Sequence, residues 1–180
     1  MVNRLKEQYG PITKLNAAWG AGYSDWDALL QSQQKPPPGA KDDCAAFTAV
    51  LTEAYFKNIR DEFKAVAPNT LYMGCRFAGS TKAAVQIGAQ YCNVISYNLY
   101  RHTLDDFKLP EGVDKPVMIG EFHFGALDRG MFHTGLRGAG NQQERAACYV
   151  RYLESVAGCP AFVGCHWFQY VDQPLTVDLR

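Results

Sequence analysis

A short apolar run, Pro116–Ile119, constrains the fold of this chain more than any other stretch. It is bounded by proline and glycine and is too short for a helix. Such a run predicts a strand that is buried on both faces of a parallel sheet. The strand ends at Glu121, which is followed by His123 and a glycine-containing loop. Since α/β proteins place their chemistry at the carboxyl ends of such strands, Glu121 is the first candidate functional residue.

The rest of the chain predicts three more strands, which alternate with helices. We expect strands at 70–76, 91–97, 116–121 and 161–167, and helices at 42–67, 80–90 and 141–157. Strands that alternate with helices at this spacing run parallel and are joined by right-handed crossovers. Four such strands form either a small open sheet or part of a (β/α)8 barrel, which ordinarily needs about 250 residues.

Apolar spacing predicts which helix faces are buried. On the longest helix, which begins at Asp42 or Asp43, the predicted face consists of Phe47, Val50, Leu51, Ala54, Tyr55, Ile59 and Phe63. On the helix capped by Asn141, it consists of Ala146, Ala147, Val150, Leu153 and Val156. Residues 1–40 contain short helical pieces and a proline-rich loop, so we interpret them as an irregular wrapping segment of one domain, 1–180, and not as a separate domain.

Charge and hydropathy exclude two classes of partner. The 18 basic and 18 acidic side chains give a formal net charge of zero, which leaves no electrostatic footprint for nucleic acid or an acidic membrane surface. No apolar run approaches the roughly 20 residues of a membrane helix, and the polar residues after Met1 do not form a signal peptide. We therefore expect neither nucleic acid nor membrane as a partner. The native compartment stays open, with a secreted parent protein as one alternative to a cytoplasmic one.

The potential metal ligands do not form a recognisable site. None of the six cysteines belongs to a CxxC pair, which argues against zinc and favours free thiols. His123 and His166 lack a clear third ligand. The sequence therefore predicts no metal and no cofactor.

The side chains at the predicted strand ends suit sugar chemistry. A retaining glycosidase uses two carboxylates about 5 Å apart, one as nucleophile and one as acid/base, and Glu121 would be the nucleophile. Tyr97 or Tyr100 could donate a hydrogen bond that keeps it ionised. Trp167 could form a flat floor for a pyranose ring. The structural alternatives are a solvated Glu121 or one paired with Arg76, and a Trp167 that packs in the core.

Further polar residues at these strand ends are candidates for contacts with substrate hydroxyls. They are Arg76, Tyr97, Asn98, Tyr100, His123 and His166, with Trp167 as the aromatic member of the set. No second catalytic carboxylate is evident from the sequence. A serine hydrolase such as an esterase is disfavoured, because the chain has no GxSxG elbow.

Five stretches resemble the β-agarases of glycoside hydrolase family 50. They are Gly120–His133 (GEFHFGALDRGMFH), Gly164–Thr176 (GCHWFQYVDQPLT), Leu71–Ala78 (LYMGCRFA), Ser96–Tyr100 (SYNLY) and Leu15–Trp19 (LNAAW). Such enzymes are clan A retaining glycosidases with a (β/α)8 barrel. The resemblance implies that Arg76, Tyr97, Glu121 and Trp167 end the fifth to eighth strands, and that Glu121 is the nucleophile.

The sequence also departs from the pattern of that family. There the acid/base glutamate ends the fourth strand within an Asn-Glu pair, and this chain has no such dipeptide. Met1 is expected to fall just after that strand, so the resemblance implies a partial barrel made of about the last four β/α units, the C-terminal half. The last four residues, 177–180, do not continue the pattern, and we interpret them as a cloning scar.

Half a barrel would expose the backbone groups of its two outer strands. Pairing with a second copy would rebuild a closed eight-stranded sheet, so we expect a homodimer. The predicted function is a retaining glycoside hydrolase that acts on β-galactosides, β-glucosides or agarose-type polysaccharide through Glu121. The alternative is a non-catalytic half-barrel that binds carbohydrate but lacks the acid/base.

Overall fold

A computed structural model of the chain describes residues 1–171. The residues interpreted as a cloning scar, 177–180, lie outside this range. The chain divides into two compact units, Met1–Ala54 and Tyr55–Arg180. The prediction of one domain, 1–180, with a wrapping segment at 1–40 stays a prediction.

The first unit is helical. It contains α1 (Val2–Tyr9), α2 (Ile12–Trp19), α3 (Trp26–Gln31), a 3-10 turn at Pro38–Ala40 and the first part of α4 (Lys41–Val66). The bounds of α2 agree with the apolar pattern, since Pro11 precedes the helix and Gly20 ends it in a left-handed conformation. The 3-10 turn falls partly within the proline-rich stretch that the sequence predicts as loop.

Asp43 joins the elements of this unit around a small core of Leu5, Leu15, Trp19 and Ala40. Its carboxylate accepts hydrogen bonds from Trp19 Nε1 and Tyr9 Oη at 2.7 Å, and from Gln8 Nε2 at 2.9 Å. Burial raises the pKa of Asp43, but these three donors outweigh it and the net pKa is lowered. The core of the first unit is therefore stabilised by an ionised carboxylate.

The second unit is an α/β structure. Its elements are the rest of α4, β1 (Arg76–Phe77), α5 (Lys82–Tyr91), β2 (Ile95–Asn98), β3 (Val117–Phe122), α6 (Gln142–Ala157) and β4 (Phe162–Trp167). All strand pairs are parallel, in the order β1-β2-β3-β4. The predicted alternation of helices with four parallel strands is confirmed. In residues 1–171, no helix combines the length and the apolar character needed to cross a membrane.

The strand predicted at 70–76 is wrong in its bounds, because regular pairing begins only at Arg76. Gly74 has φ +64°, a left-handed conformation that interrupts an extended strand. Before it, Tyr72 pairs with Asn93, whose side-chain oxygen accepts from the Tyr72 amide at 2.9 Å. The strand predicted from residue 91 is also wrong in its start, because α5 extends to Tyr91 and β2 begins only at Ile95.

The buried faces predicted for α4 and α6 are also partly wrong. Exposed members of the predicted faces are Val50, Leu51, Ala54, Tyr55, Ile59, Ala146, Ala147 and Val150. The fully buried residue of α4 is Phe56, whose ring lies 5.9 Å from that of Phe77. On α6 the buried residues include Cys148 and Tyr152. Apolar spacing shows that a helix is amphipathic, but the face that is buried depends on where its partners lie.

Candidate functional site

A bulge in β3 determines where Glu121 points. Between Tyr97 and Asn98 the register advances one residue on β2 but two on β3, from Ile119 to Glu121. The pairing of β3 with β4 is shifted at the same place, since the register advances three residues on β3, from Ile119 to Phe122, but only two on β4. The extra residue breaks the usual alternation, so that Gly120 and Glu121 both lie on the side of the sheet where Arg76 is found.

Glu121 has a separate partner for each carboxylate oxygen. Arg76 Nη1 lies 2.9 Å from Oε1, and the Tyr100 hydroxyl donates to Oε2 at 2.7 Å. The side chain of Glu121 is 15% exposed and that of Arg76 is 53% exposed. The carboxylate is therefore held in place by two donors and is still open to solvent. The pairing with Arg76, which the sequence offers as the structural alternative for Glu121, is present, and of the two candidate tyrosines Tyr100 is the donor.

Tyr100 stays protonated over an extended pH range. Burial raises the pKa of its phenol, and the hydrogen bond to Glu121 and the charge of that carboxylate raise it further. Arg76 opposes the shift but does not reverse it. The phenol is therefore a hydrogen-bond donor to Glu121 at any pH near neutrality.

Asn98 pairs with Glu121 across the β2–β3 ladder. Its side-chain Oδ1 is buried and has no hydrogen-bond partner among the described residues. An unpaired buried carbonyl oxygen is costly. Asn98 therefore lies beside Glu121 on the neighbouring strand, with a buried acceptor that no described residue uses.

The loop after β3 is held close to the site by His123. The ring Nδ1 lies 3.1 Å from the carbonyl oxygen of Phe168, and Nε2 accepts from the Leu136 amide at 2.9 Å. The ring also meets that of Tyr100 edge to face, with centroids 4.9 Å apart. Burial is the main cause that lowers the pKa of His123. Both ring nitrogens are engaged by backbone groups, and contact with a substrate hydroxyl stays a prediction.

The structure does not bring the remaining predicted residues to Glu121 in the same way. Tyr97 lies in the core, 9% exposed, with its ring against those of Phe77 and Phe107. Trp167 is half-buried and contacts the ring of Phe122 with centroids 5.4 Å apart, which supports packing over a free stacking surface. His166 is exposed on β4. Their roles as substrate-binding residues stay predictions.

Two residues that sequence reasoning missed contribute to the geometry. A Cβ on Gly120 would overlap Cδ of Arg76, so the glycine makes room for the arginine side chain. Arg145 on α6 lies over the Trp167 ring, 5.3 Å from its centroid, and its Nε donates to the Phe124 carbonyl at 2.8 Å. The sequence does offer a signal for Gly120, since a glycine stands directly before the candidate carboxylate. Nothing in the sequence around Arg145 indicates its contact with Trp167.

Residues 1–171 contain no group of three or more His, Cys, Asp or Glu side chains that could hold a metal ion. The acidic residue of the site is paired with an arginine and a phenol, which suits an ionised carboxylate in covalent or electrostatic catalysis.

Comparison with known proteins finds relatives that are similar to nearly the whole of this chain. No protein-family model matches the chain. It is 44% identical to Beta-agarase B of Vibrio sp. (strain JT0107) over 96% of its own length, and it spans 19% of that relative. Among solved structures it matches the agarase AgWH50C with a TM-score of 0.84 and 38% identity, covering 95% of this chain and 25% of the other.

An exo-beta-agarase structure matches with a TM-score of 0.85 and 37% identity, and the match covers 97% of this chain and 25% of the other. The chain therefore spans only about a quarter of the solved agarases and less of the curated relative. These likenesses confirm the predicted resemblance and the partial α/β barrel. The chain is therefore similar over nearly its whole length to one part of the β-agarases of glycoside hydrolase family 50.

Proposed function

We propose that this chain carries the nucleophile side of the active site of a retaining glycoside hydrolase. Its substrates would be β-galactosides, β-glucosides or an agarose-type polysaccharide, the last because its relatives are β-agarases. The observation that carries the proposal is the carboxylate of Glu121, which is held by Arg76 and Tyr100 at the end of a buried parallel strand and is partly open to solvent.

In this mechanism a carboxylate oxygen of Glu121 attacks the anomeric carbon of the sugar. The bond to the leaving-group oxygen breaks, and that oxygen takes a proton from an acid. Water then hydrolyses the glycosyl–enzyme ester and frees the carboxylate. Arg76 and Tyr100 stabilise the carboxylate when it leaves as an anion, since charged hydrogen bonds are stronger than neutral ones.

The acid in this scheme is not identified in the sequence. An aryl leaving group such as nitrophenolate needs little protonation, so it tests the nucleophile separately from the acid. The experiment compares nitrophenol release from aryl β-galactoside and β-glucoside by the unchanged chain, by Glu121→Gln and by Glu111→Gln. Glu111 lies in an exposed loop, so this matched change leaves the site intact.

We expect Glu121→Gln to lower turnover by about a thousandfold or more, as loss of a nucleophile does elsewhere, and Glu111→Gln to leave it unchanged. Calorimetry with agarose oligosaccharides should still detect binding to Glu121→Gln. Turnover absent from the unchanged chain, with sugar binding retained, would overturn the enzymatic proposal in favour of a carbohydrate-binding fragment.

We also propose that the chain pairs with a second copy through its outer strands. In the described sheet β1 and β4 each have a neighbour on one side only. Val163, an apolar residue of the outer strand β4, is 59% exposed. Unpaired strand edges of this kind associate readily, and a second copy offers the same two edges.

A further inference from the structure

The partners of His123 determine its tautomer. A backbone amide can only donate and a backbone carbonyl oxygen can only accept. Nε2, which faces the Leu136 amide at 2.9 Å, must therefore carry the lone pair. Nδ1, which faces the Phe168 carbonyl oxygen at 3.1 Å, must carry the proton. The contacts thus select the neutral Nδ1–H imidazole.

This imidazole connects three segments that are distant in sequence. It stands just past the end of β3, it holds Leu136 in the long loop, and it holds Phe168 just past the end of β4. Gly135 has φ +69° and passes so close to the ring that a Cβ would overlap Nε2. No residue with a side chain fits at 135 while the ring keeps this position.

The same ring also packs beside the catalytic candidate. It meets the Tyr100 ring at 71° with centroids 4.9 Å apart, and the Tyr100 hydroxyl donates to Glu121. A displaced imidazole would therefore release the Leu136 amide and leave the Tyr100 ring without this neighbour, while the backbone hydrogen bonds of Gly125 to Arg137 and Ala139 would remain.

We propose that His123 is a positioning residue, which as a neutral imidazole holds residues 134–138 and the Tyr100 ring in place beside Glu121. The loop contact is a property of the fold. The effect on turnover rests on the proposed glycosidase function.

The proposal makes loop attachment sensitive to pH. A proton on Nε2 would face the Leu136 amide donor, so the contact must open. The groups that face the ring are Arg145 on α6, Glu121 on β3, His133 in the loop and the Tyr100 phenol. Burial lowers the pKa of His123 from 6.5, Arg145 and His133 add to this, and Phe168 and Glu121 oppose it. The Leu136 amide is therefore held by the ring at neutral pH and is released from it at lower pH.

The test is the protection of the Leu136 amide against hydrogen exchange, measured by NMR on the full chain between pH 5 and 8 and corrected for intrinsic rates. The nitrogen shifts of His123 report its tautomer in the same samples. We expect a protected amide and an Nδ1–H ring at pH 7.5, and protection that falls at least about tenfold as the ring protonates.

Two substitutions separate the two ring nitrogens. His123→Asn keeps a donor near the Nδ1 position and loses the acceptor, so Leu136 should lose its protection at every pH. His123→Gln places an oxygen acceptor near the Nε2 position, so it should retain part of the protection with no dependence on pH. His166→Asn, at an exposed position, is the matched control and should leave Leu136 unchanged. An unprotected Leu136 amide at pH 7.5, or an Nε2–H ring, would overturn the proposal.

Aryl glycoside turnover adds the functional arm. His123→Asn should lower kcat with a smaller effect on KM, and it should remove the decrease of kcat at acidic pH that protonation of His123 causes. His123→Gln should recover part of kcat. If the unchanged chain has no turnover, the proposed function fails, while the exchange data still decide whether His123 holds the loop. If turnover is present and His123→Asn leaves kcat and its pH profile unaltered, the positioning role is wrong.

Discussion

Arg76 and Glu121 form an ion pair across a strand that lies between them. Arg76 is on β1 and Glu121 on β3, with β2 intervening, yet Nη1 lies 2.9 Å from Oε1. The arginine side chain crosses the sheet surface over Gly120, where a Cβ would overlap its Cδ, and close to Ser96. The position of the Glu121 carboxylate therefore depends on Gly120, because the absence of a side chain there makes room for Arg76.

Gly120→Ala tests this dependence. The added methyl group must push Arg76 aside or shift the strand, which should destabilise the second unit by about 1–3 kcal/mol, as overpacking does. It should also lower aryl glycoside turnover, because Glu121 loses its cation. Urea unfolding and nitrophenol release are the measurements. Gly79→Ala is the control, since nothing lies within 4 Å of an added Cβ there. Equal effects of the two substitutions would contradict the steric argument.

Tyr100→Phe removes one donor to Glu121 without removing the ring. A hydrogen bond to a charged group contributes about 1.5–3 kcal/mol, so turnover of aryl glycosides should fall by roughly ten- to a hundredfold. The pKa of Tyr100 is raised above 10 by burial and by Glu121, so the folded chain keeps this proton while the unfolded chain loses it.

The stability that this proton contributes is complete below pH 10 and is lost as the pH rises above it. Tyr100→Phe should therefore make the free energy of unfolding fall less steeply above pH 10, as measured by urea titration at several pH values. An unchanged slope together with unchanged turnover would show that the phenol does not support Glu121.

Much of the second unit follows from local sequence. The run at 116–121 lies within one residue of β3, and Asn141 caps α6 as expected, since its side chain accepts from the Glu144 amide. Glu121 at a strand end, with Arg76 and a tyrosine as partners, follows from the rule that parallel strands bring their carboxyl ends together. These features depend on spacing of a few residues, which a sequence records directly.

Other features depend on residues that meet only in the fold. The bulge at Gly120 and Glu121 is defined by pairing with β2 and β4, and an extra residue leaves no mark on apolar spacing. The two partners of His123 lie 13 and 45 residues away. The buried face of α4 centres on Phe56 because Phe77 lies there, although the spacing favours its neighbours Tyr55 and Ile59.

Asp43→Ala tests the organisation of the first unit. The substitution leaves the Trp19 indole and the Tyr9 hydroxyl without their acceptor, so it should destabilise this unit by about 1–3 kcal/mol. Asp42→Ala, at the neighbouring exposed position, is the control and should cost only the small helix-terminus effect. Tryptophan fluorescence during urea unfolding measures both.

The lowered pKa of Asp43 also predicts that the free energy of unfolding decreases at acidic pH. The unfolded carboxylate, with an ordinary pKa of 3.8, takes up a proton before the folded one does. The stability that the ionised Asp43 contributes is therefore complete above pH 3.8 and is lost as the pH falls below that value. The loss on acidification should be smaller in Asp43→Ala. Identical acid unfolding of the unchanged chain and Asp43→Ala would contradict the role of the ionised carboxylate.

Val163→Lys tests pairing through the open edge of the sheet. A lysine on an edge strand opposes association, because a second strand would bury its charge, whereas the 59% exposed position leaves the folded chain unaffected. Light scattering after size exclusion should give the mass of two copies for the unchanged chain and a mass nearer the 20.0 kDa of one copy for Val163→Lys. Lys82→Ala, on the surface of α5, is the matched surface change and should leave the dimer intact.

A single-copy mass for the unchanged chain at all concentrations would rule out the dimer. A dimer that Val163→Lys does not weaken would mean that the copies meet elsewhere.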